Sequence, residues 1–421
     1  MSRNDWANEL RLIAFCALVG AFAGAVFWLF LFMVEQGTRL VWHTAPQGVV
    51  GSVWYAILVC SVCGLLVGML RKRYGDYPES MEDVFARLKR TGTYPFRMLP
   101  VILAGALLPL ICGSSVGPEA GMVGIIVALC CWAGENLRFA GREAAYYSKV
   151  GASVSLSVMF HSPLFGVFEV EEGEDADELA PLRRSSKVVT YCVAAGAGFG
   201  CFSVLSQLFG SVMSGFPSFE VASGDWRDIA LFAPYVLAGV AFGLLFEASE
   251  HGFSWLAHRL PPVAREVAAG VALGIVTTFF PAVRFSGESQ MDVLIEGGFA
   301  TYAPLAILGV AFLKVLLTNM CIGCGLKGGH FFPLIFAAVC LGMGLSLLVF
   351  PEDLGHATIA AGVVAASTLA VTMRKPLAVA MLLMLCFPAR MLLWTVPAAA
   401  LATWLRGLAP KAPTSPHEET T

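Results

Sequence analysis

Residues 112–119 read Cys-Gly-Ser-Ser-Val-Gly-Pro-Glu and interrupt an apolar stretch that extends from residue 97 to residue 133. A helix needs about 20 apolar residues to cross a hydrocarbon core of about 30 Å. A break rich in glycine and proline divides this stretch into half-length helices and leaves irregular backbone at membrane depth. Such backbone is tolerated only where protein buries it or where it lines a cavity. The break therefore predicts a polytopic membrane protein and marks the first place to look for a transport site.

The composition points to the same class. Of the 421 residues, 57% are hydrophobic and only 14% are charged, whereas about a quarter of the residues in a soluble domain are charged. The 27 basic and 30 acidic residues nearly cancel, so no basic field attracts polyanions. These numbers exclude a water-soluble enzyme, a disordered scaffold and a nucleic-acid-binding protein. The apolar runs also show no H-E-x-x-H, no G-x-S-x-G and no pair of aspartates, so we predict neither intramembrane catalysis nor a cofactor.

Seven long apolar runs predict membrane-spanning helices, and two further stretches break as the first one does. The runs are 12–34, 50–70, 187–210, 228–246, 304–320, 331–350 and 357–373. The stretch 145–172 breaks at His161-Ser-Pro163, and the stretch 376–407 breaks at Pro388 and Pro397. The two ends, 1–10 and 408–421, are polar, and we expect a cytoplasmic tail at the first and a short tail without a regulatory domain at the second.

Basic clusters predict the orientation in the membrane, because cytoplasmic loops carry an excess of Lys and Arg. The clusters are Arg71-Lys72-Arg73, Arg87 with Lys89-Arg90, Arg183-Arg184 with Lys187, and Arg374-Lys375. We expect a multi-pass protein of the cell membrane, or of the inner membrane in a bacterium, with both termini in the cytoplasm.

The twelve cysteines predict no metal site. Most of them lie inside apolar runs, where they behave as small hydrophobic residues. Two C-x-x-C pairs occur, Cys60 with Cys63 and Cys321 with Cys324, but no second pair and no pair of histidines completes a zinc site.

Three short motifs recur in the same order in the second part of the chain. Pro78-Glu79-Ser80 resembles Gly287-Glu288-Ser289, Ser115-Val-Gly-Pro118 corresponds to His330-Phe-Phe-Pro333, and Ser162-Pro163-Leu164 matches Lys375-Pro376-Leu377, all at a nearly constant offset. Repeated halves with broken helices at corresponding places are typical of transporters whose site lies between the halves. We expect the halves to be 11–210 and 211–407. The offsets alone leave open whether the second half is inverted.

Two of the breaks have the chemistry of an anion site. Ser114-Ser115-Val116-Gly117-Pro118 opens one predicted helix, and Gly328-Gly329-His330-Phe331-Phe332-Pro333 opens its counterpart. The first turn of a helix exposes backbone N–H groups that lack intrahelical partners, and the helix dipole is positive there. Such an end binds an anion without a formal cation. Each turn alone could simply let helices cross, but together, in matching halves, they predict a partly dehydrated anion site.

Four motifs resemble those of the CLC chloride channels and proton-coupled chloride antiporters, and the resemblance extends over residues 10–407. The motifs are Tyr77-Pro78-Glu79, Val116-Gly117-Pro118, Phe160-His-Ser-Pro-Leu-Phe-Gly166 followed by Glu171-Glu172, and Gly329-His-Phe-Phe-Pro333. The resemblance implies an all-α polytopic fold of two inverted repeats with broken and re-entrant helices. It also implies a homodimer in membrane lipid, in which each subunit holds its own anion pathway.

Several residues depart from that family's pattern. Val116 stands where the resemblance places the family's gate glutamate, and Gly75 stands at a pathway serine if Pro78 is aligned. The family's late pathway tyrosine has no counterpart, since the last tyrosine is Tyr302. The resemblance therefore implies that backbone amides supply most of the anion ligands. The candidate anion-binding residues are Val116, Gly117, Phe331, Phe332, Gly75 and Tyr77.

The candidates for a gate or a proton path are Val116, Glu119, Glu171, Glu172 and His330. Glu119 either complements the positive helix end or replaces the missing gate, and one of Glu171 and Glu172 matches the family's internal proton-transfer glutamate. His330 is either a donor to the anion or a packed residue at a helix start. Because the gate glutamate is absent, we expect a passive chloride-like anion channel or an uncoupled transporter. The alternative is a proton-coupled chloride or fluoride antiporter that uses Glu119 with Glu171 or Glu172.

Overall fold

The computed structural model describes residues 3–44, 53–91, 93–136, 150–151, 153–154, 157–160, 162, 165, 184–210, 218–219, 224–293, 295, 302–351 and 354–408. The α-helices of this part are α1 Arg3–Trp42, α2 Val53–Tyr74, α3 Met81–Thr91, α4 Leu99–Ile111, α5 Glu119–Asn136, α6 Arg184–Phe209, α7 Trp226–His258, α8 Ala264–Phe279, α9 Glu288–Val293, α10 Pro304–Gly323, α11 Phe331–Val349, α12 Leu354–Met373, α13 Pro376–Leu383 and α14 Leu392–Leu408. Short 3₁₀ helices lie at Phe96–Met98, Pro281–Val283 and Ala389–Met391.

Within these residues, eight helical segments are long and apolar enough to cross a membrane. Seven of them coincide with the seven predicted runs, and the eighth contains α14. The predicted interruption at 112–119 is present, because α4 ends at Ile111 and α5 begins at Glu119. Helix α8 was not predicted as a run, since its 16 residues are fewer than a perpendicular span requires.

The predicted break at Pro397 is wrong, whereas the one near Pro388 is present. The chain leaves the α conformation between α13 and α14, and Pro397 lies inside α14. Pro397 is exposed on the surface of the protein, so its ring does not have to fit into a packed interior. Membrane helices tolerate an internal proline, because local adjustment of the backbone satisfies the carbonyl that loses its partner.

Glycines let the outer helices approach each other at backbone distance. Helix α1 packs along α6, and α2 packs along α8. A Cβ atom on Gly24 would lie 2.2 Å from the carbonyl oxygen of Gly198, and one on Gly270 would lie 2.2 Å from the carbonyl oxygen of Cys60. Close contact through small residues is the usual mode of helix association in lipid. These contacts fix the outer helices around the centre of the molecule.

The centre of the molecule is formed by α11 and α12. Every residue of α11 from Phe331 to Gly344 is buried, and so is every residue of α12 from Ala357 to Val371. A helix that is apolar on all sides requires neighbours on all sides. Helices α7, α10 and α14 surround this pair. The N-terminus of α11 therefore lies in the protein interior, and it is this end that carries the glycine-rich turn.

We predict that Gly24→Val destabilises the fold while Gly196→Val does not. The added side chain at residue 24 would collide with the backbone of α6, whereas a Cβ at residue 196 meets nothing within 4 Å. Overpacking of this kind lowers the free energy of unfolding by about 1–3 kcal/mol. Thermal unfolding of the detergent-solubilised variants measures the difference, and the two substitutions share the same change in helix propensity. Equal melting temperatures would contradict the proposed packing of α1 on α6.

Candidate functional site

The two glycine-rich turns lie against each other. Gly117 donates its amide hydrogen to the carbonyl oxygen of Gly329 at 2.7 Å, and Gly329 returns the same bond to Gly117 at 2.7 Å. A Cβ on Gly328 would lie 2.5 Å from a methyl carbon of Val116. The close approach therefore requires glycine, and it holds the first turns of α5 and α11 next to each other in the protein interior.

The turn before α5 is fixed by polar contacts with α10. The buried hydroxyls of Ser115 and Thr318 lie 3.1 Å apart and share a hydrogen bond. Gly113 has a φ of +89°, which reverses the chain after α4 and which only glycine adopts without strain. Ser114 donates its amide hydrogen to the carbonyl oxygen of Pro109 at 2.9 Å. The break is thus a defined structure of the backbone.

The side chain of Glu119 fills the space between the two helix starts. It is 2% exposed, and its Oε1 accepts a hydrogen bond from the amide of Phe332 at 3.0 Å. The amide of Phe331 faces the same carboxylate. The other oxygen, Oε2, has no hydrogen-bond partner among the described residues. A Cβ on Gly329 would lie 1.6 Å from Oε2, so this glycine makes room for the carboxylate.

The four backbone amides that we predicted as anion ligands from the sequence differ in the groups that they contact. The amide of Val116 donates to the carbonyl oxygen of Ser114 at 2.9 Å, and the amide of Gly117 donates to Gly329. These two therefore already have acceptors in the protein backbone. The amides of Phe331 and Phe332, in contrast, face the carboxyl group of Glu119. The first turn of α11 is consequently the end at which an external anion could replace a group of the protein.

Aromatic rings enclose this end of α11. The ring of Phe160 stacks on that of Phe332 at a centroid distance of 4.9 Å and meets Phe331 edge-on at 5.9 Å. His330 begins the helix, and its ring lies 4.6 Å from that of Phe331 and 5.4 Å from that of Phe246. The aromatic shell excludes water, and it lowers the local dielectric constant around the Glu119 carboxylate.

The loop that contains Gly75 and Tyr77 is connected to the second turn by an ion pair. Nζ of Lys327 lies 3.1 Å from Oδ2 of Asp76, and Arg71 contacts the other oxygen of Asp76 at 2.5 Å. Gly75 is exposed, and the hydroxyl of Tyr77 accepts a hydrogen bond from Arg87 at 3.1 Å. Both candidates therefore lie at a charged mouth, next to the basic end of α2.

The charges at this mouth also determine the pKa of Asp76. Burial alone would raise the pKa, but the positive charges of Lys327 and Arg71 outweigh burial and hold the pKa below its ordinary value. Arg71 makes a further ion pair with Glu266, at the start of α8, at 2.6 Å. The network thus joins α2, α8 and the loop before α11.

The third predicted break lies only partly within the described residues. Glu171, Glu172, His161 and Pro163 lie outside them, so the internal proton-transfer glutamate stays a prediction. Ser162 is described, and its hydroxyl donates to the carbonyl oxygen of Met381 in α13 at 2.9 Å. The first-half break therefore contacts the short helix that follows Lys375-Pro376, its proposed counterpart in the second half.

One cluster of acidic and histidine side chains lies elsewhere in the described part of the chain. Asp225, Asp228 and His356 place one ligand atom each within 4.8 Å of one another. The carboxylates already cap α7, because Asp225 accepts from the amide of Arg227 and Asp228 accepts from the amide of Asp225. His356 is hydrogen-bonded to Asp228 at 2.8 Å. Helix capping explains this cluster without a metal ion.

The fold is that of a multi-pass membrane protein, and the family match shows a protein of anion transport and not an enzyme. The family described as "Voltage gated chloride channel" matches residues 63–407 of the chain. The chain belongs to this family, the CLC family.

The relatives agree with this assignment. The chain is 27% identical to "Voltage-gated ClC-type chloride channel ClcB" of Escherichia coli over 88% of both sequences. It is 26% identical to "Chloride channel protein CLC-e" of Arabidopsis thaliana over 95% of its own length, and it spans 60% of that relative. Among solved structures, a slow cyanobacterial Cl⁻/H⁺ antiporter superposes with a TM-score of 0.77 at 19% identity, covering 95% of this chain and 96% of that one. A CLC-type fluoride/proton antiporter superposes with a TM-score of 0.73 at 19% identity, covering 96% and 97%. These superpositions confirm the all-helical CLC fold.

We predict that Asp76→Asn lowers the free energy of unfolding by about 1 kcal/mol or less, since Asp76 is half exposed and its ion pairs are screened. The pKa of Asp76 is lower in the folded than in the unfolded state. Its contribution is therefore complete above the unfolded value of about 4 and is lost as the pH falls through the folded value. The stability difference from wild type should consequently be constant between pH 5 and pH 8.

Thermal melts of both proteins across this range of pH measure the difference. Lys327→Gln should give a similar loss, and the double variant should lose less than the sum. A difference that grows from pH 5 to pH 8 would contradict this account of the network.

Proposed function

We propose that this protein moves chloride-like anions passively, as a channel or an uncoupled transporter, and that the permeating anion replaces the Glu119 carboxylate at the first turn of α11. The contact between Oε1 of Glu119 and the amide of Phe332 carries the proposal. The carboxylate there has the charge and the acceptor atoms of an anionic ligand. It is attached to α5, whereas its binding site belongs to α11.

The chemistry of the site suits conduction. Backbone amides at a helix N-terminus attract an anion with partial charges and do not bind it as tightly as a contacting cation would. A tethered carboxylate competes for the same amides at a high effective concentration. Because the carboxylate stays attached when it leaves, an anion can enter, pass and be replaced without leaving the amides unsatisfied. Glu119 thus acts as an internal competitor, or gate.

Two observations support uncoupled movement of chloride. The residue at the family's gate position, Val116, is buried against Gly328 and carries no group that could bind a proton. The relatives from Escherichia coli and Arabidopsis thaliana are both named as chloride channels.

A second candidate is proton-coupled exchange of chloride or fluoride through Glu119 with Glu171 or Glu172. The observation in its favour is the unpartnered Oε2 of Glu119. A proton on this oxygen would neutralise the carboxylate and leave the bond from Phe332 to Oε1 intact. Exchange would then require that protonation and anion entry alternate at this one side chain.

We predict chloride efflux from proteoliposomes that is unaffected when the proton gradient is clamped, and a several-fold higher rate for Glu119→Gln. The amide keeps the size and the acceptor oxygen of Glu119, but its lack of charge makes it a weaker competitor for the helix start. Simultaneous recording of chloride, nitrate or fluoride movement and of proton movement tests both statements. Glu35→Gln, which removes a partly exposed carboxylate of α1 that is paired with Arg39, serves as the matched control.

The outcomes separate the two candidates. Uphill proton movement driven by chloride in the wild type, and its loss in Glu119→Gln, would establish the exchanger. An unchanged rate in Glu119→Gln would show that the carboxylate does not compete with the anion.

We further propose that the protein is a homodimer with an independent pathway in each subunit, and that 11–210 and 211–407 form inverted halves with both termini cytoplasmic. The basic residues at the end of α2 and those after α12, Arg374 and Lys375, favour a cytoplasmic location for these two ends. Subunit counting by single-molecule photobleaching should give two steps. Dimers with one Glu119→Gln subunit should conduct at the mean of the two parent rates, and a monomer or a non-additive rate would contradict the proposal.

A further inference from the structure

Lys314 is a fully buried lysine in the middle of a membrane-spanning helix. It lies in α10, halfway between Pro304 and Gly323, and it is 0% exposed. Ionisable side chains at this depth are costly and usually belong to the pathway of an ion or a substrate. Lys314 takes no part in the contact between Glu119 and the amide of Phe332, so its presence in the interior needs an explanation.

Backbone carbonyls hold the ammonium group in place. Nζ of Lys314 donates to the carbonyl oxygens of Val283 at 3.2 Å and of Phe285 at 2.5 Å, and it lies 5.6 Å from the ring centroid of Phe336. No ion pair of the described residues includes Lys314. Carbonyl dipoles and a ring face stabilise a cation but leave its net charge in place.

Three chains of contacts connect Lys314 to the paired helix starts. On α10, Thr318 follows Lys314 by one turn and shares its hydrogen bond with Ser115. On α11, Phe336, whose ring faces Lys314, lies one turn after Phe332, whose amide donates to Glu119. In the third chain of contacts, the carbonyl oxygen of Phe285 accepts a hydrogen bond from Lys314. The amide of Phe285 donates to the carbonyl oxygen of Gly113 at 3.4 Å. The printed hydrogen bonds of the ammonium go to Val283 and Phe285 and not to Glu119, so each connection to the helix starts passes through an intermediate residue.

We infer that Lys314 in its charged form raises the affinity of the site for the permeating anion, because it is a buried basic side chain whose contacts connect it to both helix starts. The inference rests on the proposed function of that site. A buried cation attracts an anion at a distance through a medium of low dielectric constant, where its field is strong. Because it does not contact the anion, it does not bind it so tightly that conduction stops. The carbonyls at 283 and 285 fix its distance.

A purely structural role predicts different behaviour. On that reading, Lys314 only joins the segment of Val283 and Phe285 to α10, and any donor of similar reach would serve. Lys314→Gln keeps an N–H donor and removes the charge, whereas Lys314→Arg keeps the charge and changes the donor geometry. These two variants separate the field of Lys314 from its hydrogen bonds, and Lys314→Met removes both.

The experiment measures the half-saturating chloride concentration for flux in proteoliposomes and the dissociation constant of chloride by calorimetry in detergent. We expect Lys314→Gln and Lys314→Met to raise both on the order of tenfold, the size of a unit-charge effect over one or two helical turns. Lys314→Arg should stay within about twofold of the wild type. Arg90→Gln, which removes one charge from an exposed position, should leave both values unchanged, since exposed charges are screened by salt.

Two results would overturn the inference. Wild-type affinity in Lys314→Gln would show that the charge is not used, and equal impairment of Lys314→Arg and Lys314→Met would show a structural role. If Lys314→Met fails to fold, the comparison of Gln with Arg still decides. Failure of the proposed function has a different signature, because the wild-type protein itself would then show neither chloride flux nor chloride binding.

Discussion

Two backbone hydrogen bonds between Gly117 and Gly329, each 2.7 Å long, hold together helix starts that are about half the chain apart in sequence. The arrangement of the two helix N-termini around Glu119 depends on this contact. It requires residues without side chains at 117, 328 and 329, and it places the positive ends of two helix dipoles in one region of low dielectric constant. Repulsion between such ends favours a negative charge between them. The carboxylate of Glu119 supplies that charge from within the chain.

The position of Glu119 explains how a member of this family can lack a carboxylate at residue 116. The carboxylate that occupies the amides of α11 comes from the first turn of α5, beyond Pro118, and not from the turn that precedes it. Its backbone is therefore part of a regular helix, and its side chain alone must move when an anion enters. If Glu119 is the proposed competitor, rotation about its side-chain bonds is enough to release the site, and the paired glycine turns can stay closed.

Local sequence patterns could predict the parts of this arrangement that depend on short-range rules. The break at 112–119, the glycine-rich turn before Phe331 and the seven apolar runs follow from helix length and backbone chemistry, and all are present. The prediction of a break at Pro397 was wrong, because a helix tolerates a proline on its exposed side, and the local pattern does not show which side is exposed. The bond from Phe332 to Glu119 joins residues 213 positions apart, and no local pattern encodes it. The same holds for Lys314, although a single lysine inside the run 304–320 is a visible signal of an unusual environment.

The described part of the molecule places its charges near the pathway in two different settings, and the settings imply different effects. Lys327 and Arg71 share Asp76 at an exposed mouth, where water and salt screen their fields within about one Debye length. They can raise the local concentration of anions and so influence the rate of entry. Lys314 lies in the interior, where screening is weak, and its carbonyl ligands do not cancel its charge. In the proposed function, entry and retention of the anion therefore depend on separate cations. On that proposal, the anion would have to displace only Glu119 to pass from the influence of Lys327 and Arg71 to that of Lys314, since the amides of Phe331 and Phe332 are already in place.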